Sequence, residues 1–158
     1  RLPEEEREPG YIPSAVFITA WARRYTIENA QALFDRFVYA DTDSLYLVGC
    51  EVPDTLRVDD AELGAWKHEH TFEHFKALRP KTYVFIEGGE LNVHCAGLPQ
   101  RCFDLADEHP EIAAQAPEGC FTRVTFDNFE VGARYFGKLF NHHTEGGIVL
   151  EDRYFTIK

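Results

Sequence analysis

Two periodicities run along the chain, and the switches between them outline its elements. From Pro13-Ser14 to about Phe34 no further glycine or proline interrupts the sequence. Val16, Phe17, Ala20, Trp21, Tyr25, Ala30, Leu33 and Phe34 mostly recur three or four apart, which predicts an amphipathic or largely buried helix. The Thr26-Ile27 step weakens that pattern only locally. Phe37-Val38-Tyr39 and Ser44-Leu45-Tyr46-Leu47-Val48 are then rich in aromatic and β-branched residues, and Ala40-Asp41-Thr42-Asp43 lies between them. Two such runs around a short acidic turn predict a β-hairpin. Gly49 to Glu62 reads as loop, and His68 to Leu78 as a short helix stopped before Pro80.

Lys81 to Ile86 reads as a strand, Gly88-Gly89 as a tight turn, and Leu91 to Cys95 as the returning strand. Gly97-Leu98-Pro99 closes that unit and suggests a domain boundary. Gln100 to Ala116 has helical character broken at Pro110. From Phe121 the pattern returns to strands, with Ala133 to Phe140 and Gly147 to Ile157 joined through Glu145-Gly146-Gly147. Arg1 to Gly10, with Glu4-Glu5-Glu6, reads as a solvated loop. The fold class expected is α+β.

Composition narrows the classes. The 158 residues are 44% hydrophobic, enough for a real core and against a wholly disordered chain. No apolar run approaches the ~20 residues of a membrane helix, and no secretory signal pattern opens the chain. The formal net charge of −11 has the wrong sign for a freestanding DNA-binding module. It suits an acidic surface, or a protein that gathers divalent cations. Cys50, Cys95, Cys102 and Cys120 form no Cys-x-x-Cys pair, so the cysteines read as reduced thiols of a cytoplasmic protein. The sequence starts at Arg1 and contains no methionine, which suggests an excerpt that begins inside a loop.

The chemistry centres on Tyr39-Ala40-Asp41-Thr42-Asp43-Ser44. Two carboxylates at a hairpin tip repel each other, and a divalent cation would relieve that. Mg²⁺ suits such a turn, because it takes one or two carboxylates with waters and substrate phosphates. Asp is also a common turn residue in its own right. Sugar transferases use Asp-x-Asp as well, so spacing alone leaves three readings open.

Tyr-x-Asp-Thr-Asp-Ser between two apolar strands resembles motif C in the palm of family-B DNA polymerases. Tyr11-Ile12-Pro13 with Val16 to Arg23 resembles the helix before motif C in the protein-primed, phage and linear-plasmid branch of that family. Leu63-Gly64-Ala65-Trp66-Lys67-His68-Glu69 resembles the stretch after motif C, and Lys81-Thr82-Tyr83 the family's Lys-x-Tyr motif. Cys95-Ala96-Gly97 is similar to the start of the thumb. Phe126 to Gly132, and Gly146 to Lys158, resemble its C-terminal part. The resemblance runs through nearly the whole chain, in order. A sugar transferase explains neither Lys81-Thr82-Tyr83 nor the C-terminal match.

The resemblance implies a palm piece at 1–97 followed by a small β-rich thumb at 98–158. It implies Asp43 and Asp41 as the motif-C carboxylates of a two-Mg²⁺ site, Asp43 as metal ligand and Asp41 beside the metals. Tyr39 and Thr42 would shape the turn near the incoming nucleotide and primer end. Lys81 and Tyr83 would hold the primer terminus, through a point charge for phosphate and a hydroxyl with an aromatic face. Without the resemblance, Lys81 reads as a strand-edge charge. The implied partners are DNA primer-template, dNTPs, a terminal protein that supplies the first hydroxyl, and the remaining polymerase domains upstream, with no membrane. Motif A and motif B are absent from these residues, so the chain alone is expected to be inactive. The alternative is a catalytically inert remnant that binds DNA or a polymerase.

One departure from the family is charge. Leu98 to Lys158 carries few basic residues, Arg101, Arg123, Arg134, Lys138, Arg153 and Lys158 among more acids. Strand alternation would set Arg134, Lys138 and His142 on one DNA-facing side. DNA binding is expected to weaken steeply with salt. His68, His70 and His74 offer a His-x-His and an i,i+4 pair that could bind zinc on a helix, but no further ligand is obvious nearby. His142-His143 reads as an exposed pair in a turn. Trp21, Trp66, Phe72 and Phe75 read as core.

Overall fold

The computed structural model describes residues 12–158. The solvated-loop reading of 1–10 and Tyr11 of the helix motif therefore lie outside the described residues. Contacts divide the chain into two compact units, with the division between His68 and Glu69.

The first unit opens with helix α1 (Ile12–Ala32). A hairpin of β1 (Phe37–Asp41) and β2 (Ser44–Leu47) comes next. Both elements stand where the pattern sets them, but α1 is not largely buried. Thr26 is its buried residue, while Val16, Phe17, Ile18 and Trp21 are exposed, Trp21 at 65%. The core reading of Trp21 is thereby overturned. Tyr25 and Trp66 stack at 5.6 Å and hold the loop end of the unit to the helix. Arg36 ties down the chain after β2, its guanidinium donating to the carbonyls of Val48 (2.8 Å) and Glu51 (2.7 Å).

In the second unit β3 (His74–Arg79), β4 (Thr82–Glu87) and β5 (Glu90–Cys95) make an antiparallel sheet in the order β3-β4-β5. The helix expected over His68 to Leu78 is absent. Residues 74–79 pair with β4 instead, from His74↔Ile86 to Arg79↔Thr82. Pro80 marks the hairpin turn rather than a helix end. A 3₁₀ turn (Gln100–Cys102), α2 (Leu105–Glu108) and α3 (Pro110–Ala113) break up the helical stretch. Residues 121–133 are turns and isolated bridges rather than strand. The chain ends in a long hairpin of β6 (Arg134–Thr144) and β7 (Gly147–Thr156).

One face of the three-stranded sheet closes a core. Val84, Leu98, Cys102, Val124, Phe129, Ala133, Tyr135 and Ile157 pack together, with Leu78, Leu91, Val93 and Cys95 against them. Each large side chain fully buried here contributes roughly 1.5–3 kcal/mol. The Tyr135 hydroxyl, buried with its ring, donates to the Asn128 carbonyl at 2.8 Å. Burial pushes the Cys102 thiol up to about 11, and all four cysteines are free. The packing of 69–158 therefore runs across Gly97-Leu98-Pro99. The division expected at 97/98 is a palm–thumb assignment, distinct from this division by contacts.

Gly137 changes the last hairpin. Phe136 pairs with Tyr154 and Lys138 with Arg153, so a bulge at Gly137 shifts the alternation by one residue. Arg134 then lies over the Tyr154 ring at 5.5 Å, whereas Lys138 lies over Phe155 at 4.9 Å. Tyr154 and Phe155 are neighbours on β7 and face opposite ways. Arg134, Lys138 and His142 thus do not form the single stripe that alternation suggests. His142 and His143 belong to β6, paired with Val149 and Ile148, not to the turn.

Candidate functional site

The β1–β2 turn is built from Asp41, Thr42, Asp43 and Ser44, with Asp41 paired to Ser44 across the hairpin. Thr42 has φ +54°, in the left-handed region. A β-branched residue there costs roughly 1–2 kcal/mol relative to ordinary backbone. Three local bonds hold the turn. The Thr42 hydroxyl donates to Asp41 Oδ1 at 3.1 Å. The Ser44 hydroxyl donates to the Asp41 carbonyl at 2.9 Å. From α1, the Thr26 hydroxyl lies 3.1 Å from the Ala22 carbonyl and 3.4 Å from that of Thr42.

Thr26 is the residue that sequence reasoning missed. In the sequence it marks only a soft spot in a helical period. In the fold it is the buried residue of α1 and bears on the strained turn. Its own face of the helix also carries Thr19, Arg23 and Asn29, so no signal in the sequence marks it.

Tyr39 and Asp41 stand two apart on β1 and share a face of the hairpin. Tyr39 meets Tyr46 edge to face at 5.3 Å. Asp41 is half-buried, and Thr42 and Asp43 are exposed. The turn thus brings Tyr39, Asp41, Thr42 and Asp43 together at one end of a hairpin. Two carboxylates fit part of an Mg²⁺ shell, with water and substrate oxygens as the rest. Among the described residues no group of three or more His, Cys, Asp or Glu side chains is arranged to hold a metal. The helical His pair expected for zinc is not formed. His70 Nδ1 lies 2.8 Å from a Glu87 carboxylate oxygen, and His74 faces the Phe126 ring.

Lys81 and Tyr83 belong to the second unit. Lys81 is not on a strand but in the β3–β4 turn, with φ +59°. Its carbonyl accepts from the Ala96 backbone N–H at 2.8 Å. Tyr83 is on β4 and 8% exposed. Its ring lies between Phe75 of β3 (5.7 Å) and His94 of β5 (4.7 Å, interplanar angle 16°). Burial, and then His70, pull the His94 imidazole below its usual range. Among the described residues, Thr42 and Lys81 are the only non-glycine positions with positive φ. Both coincide with positions marked in the sequence.

No family model matches the chain. The DNA polymerase of Bacillus phage PZA is 41% identical over 172 aligned residues, covering 100% of this chain. The DNA polymerase of Bacillus phage phi29 is 40% identical over the same coverage. The chain is homologous to the phi29-type phage DNA polymerases. It spans about 28% of the length of these relatives. A solved structure of phi29 DNA polymerase complexed with primer-template DNA superposes with a TM-score of 0.73 at 39% identity. That match covers 96% of this chain and 27% of the polymerase. The fold is accordingly the mixed helix and antiparallel sheet of the phi29 polymerase C-terminal region. Among the described residues no helix is long and apolar enough to cross a membrane.

Proposed function

We propose that this chain is the motif-C and thumb part of a DNA-directed DNA polymerase that transfers nucleotidyl groups from dNTPs to a 3′ hydroxyl. The observation that carries the reading is the coincidence of strain with candidate chemistry. Among the described residues, the two non-glycine positions in the left-handed region stand at the Asp-Thr-Asp turn and at the Lys-x-Tyr segment. Such strain concentrates at functional sites, because elsewhere glycine removes it. Homology adds weight. Related structures are phi29 polymerase with primer-template DNA, and with incoming nucleotide as well.

In this reading Asp43 and Asp41 each offer carboxylate oxygens to Mg²⁺, which when bound neutralises charge on the reacting phosphate. Thr42 and Tyr39 fix the turn that presents them. Lys81 meets a primer phosphate, and Tyr83 orients the terminal nucleotide. Residues 1–97 form the end of a palm and 98–158 a thumb. Protein-primed initiation, with a terminal protein as partner, accords with the family-B branch that the sequence resembles. The host cytoplasm is the compartment. Because one hairpin supplies only part of a two-metal site, the chain alone does not polymerise and relies on upstream palm residues.

Mn²⁺ titration watched by NMR tests the metal assignment. Paramagnetic broadening centred on residues 41–43 is expected, and Asp43→Asn should remove most of it. Broadening spread over the acidic surface, unchanged in Asp43→Asn, would refute the site. Primer extension by the isolated chain in Mg²⁺ or Mn²⁺ should give no product. Product that vanishes in Asp43→Asn would refute the claim that further residues are needed.

A further inference from the structure

We infer that His94 is a positioning residue that holds the Tyr83 ring in register for the primer end. The inference rests on the primer-end reading of Lys81 and Tyr83 proposed above. Its geometric basis is a direct cross-strand pair. Tyr83 of β4 and His94 of β5 face each other in the ladder, and their rings lie 4.7 Å apart at 16°. The same imidazole lies 6.0 Å from the Phe85 ring at 13°. Tyr83 is on the middle strand, with Phe75 flanking it from β3 and His94 from β5. His94 stacks on one face of the ring, Phe75 lies tilted beside it, and the residue is 8% exposed, so the ring has little rotational freedom.

The strand carrying His94 also reaches Lys81. One residue past β5, the Ala96 N–H donates to the Lys81 carbonyl at 2.8 Å. β5 therefore supports both candidate primer-end residues, one through an aromatic face and one through the backbone. His94 is itself exposed, so its ring is not needed to fill the core, which lies on the opposite face of the sheet with Val84, Val93 and Cys95. A threonine or valine would satisfy a strand position equally well. What a flat ring adds is alignment of the ring beside it. Although the side chain is exposed, partial desolvation of its ring, and then His70, lower the imidazole pKa and so favour the uncharged form.

The test uses the full chain at low salt and pH 7.5, with fluorescence anisotropy on two DNAs. One is a primer-template with a recessed 3′ end. The other is a closed dumbbell duplex with no 3′ terminus. The ratio of the two affinities measures preference for the end, and a merely structural change would lower both together. His94→Ala should cut that preference about threefold to tenfold, the range expected for losing one aromatic pair. His94→Phe should restore it, and dumbbell affinity should stay the same in both. If His94→Ala disturbs the sheet by circular dichroism, His94→Thr removes the ring while keeping strand propensity.

Tyr83→Ala separates the two levels of the argument. Loss of end preference in Tyr83→Ala with none in the ring-less His94 variants overturns the inference alone. So does failure of His94→Phe to restore the preference. An unsubstituted chain with no end preference, or a Tyr83→Ala variant that keeps it, overturns the primer-end reading and the inference with it.

Discussion

The Thr42–Asp43 turn and the Gly88–Gly89 turn perform the same reversal with different residues. Each links paired antiparallel strands through two residues, closed by Asp41↔Ser44 in one and Glu87↔Glu90 in the other. Gly88 and Gly89 take φ +59° and +83° at no steric cost. Thr42 takes φ +54° with a branched side chain. The β3–β4 turn repeats the choice, with Lys81 at φ +59° beside Pro80. Where reversal alone is required, glycine stands. Where a side chain is wanted at the tip, the fold carries roughly 1–2 kcal/mol of backbone strain per position. Removing or transplanting that strain tests the comparison.

The largest effect is expected where glycine serves space as well as backbone. Gly137 has φ +103°, and a Cβ there would sit 2.9 Å from a methyl of Leu105, which is fully buried. Gly137→Ala should destabilise the second unit by roughly 2–4 kcal/mol, combining left-handed strain with overpacking. Urea unfolding followed by far-UV circular dichroism measures it. A loss under about 1 kcal/mol would mean that the bulge relaxes freely. Next comes Gly88→Thr, which copies the Thr42 arrangement, at the same turn position and nearly the same φ, into a turn with no proposed role. No atom lies within 4 Å of a Cβ at Gly88, so the expected loss of about 1–2 kcal/mol is backbone alone. A neutral Gly88→Thr would remove the argument that strain marks the site.

How far the sequence can be read depends on whether contacts are local. Helix α1 and the β1–β2 hairpin follow from spacing and turn residues, and the Asp41-Thr42-Asp43 tip is visible as a short acidic insertion between apolar runs. The β3 strand reads wrongly as helix because Phe72, Phe75 and Leu78 recur at three-residue intervals, and only pairing with β4 settles the period as two. The bulge at Gly137 turns one presumed basic face into two, and a lone glycine does not announce which way the register slips. The exposure of α1 is equally hidden, since an apolar stripe reports what a face could bury and not what covers it. Thr26 and His94 escape notice for the same reason. Each matters through a residue distant in sequence, Thr42 for one and Tyr83 for the other.

The smallest expected effect is also the sharpest, because it should split stability from binding. Thr42→Gly and Lys81→Gly each relieve left-handed strain of about 1–2 kcal/mol but add about 0.5–1 kcal/mol of glycine entropy to the unfolded chain. The net expectation is a gain of about 0.5–1 kcal/mol for each. For Lys81→Gly the gain should come with weaker binding of recessed primer-template, since the point charge goes while the Ala96 bond to the residue-81 carbonyl stays. For Thr42→Gly the Thr26 hydroxyl keeps its backbone partner at residue 42. The turn should therefore survive while Asp41 loses the hydroxyl that donates to its Oδ1. Mn²⁺ broadening at residues 41–43 should then weaken without vanishing. Thermal melting and DNA anisotropy on the same two variants give the answer. If either variant is both more stable and equally capable, its side chain is not the reason for the strain, and the contrast with the glycine turns loses its functional meaning at that position.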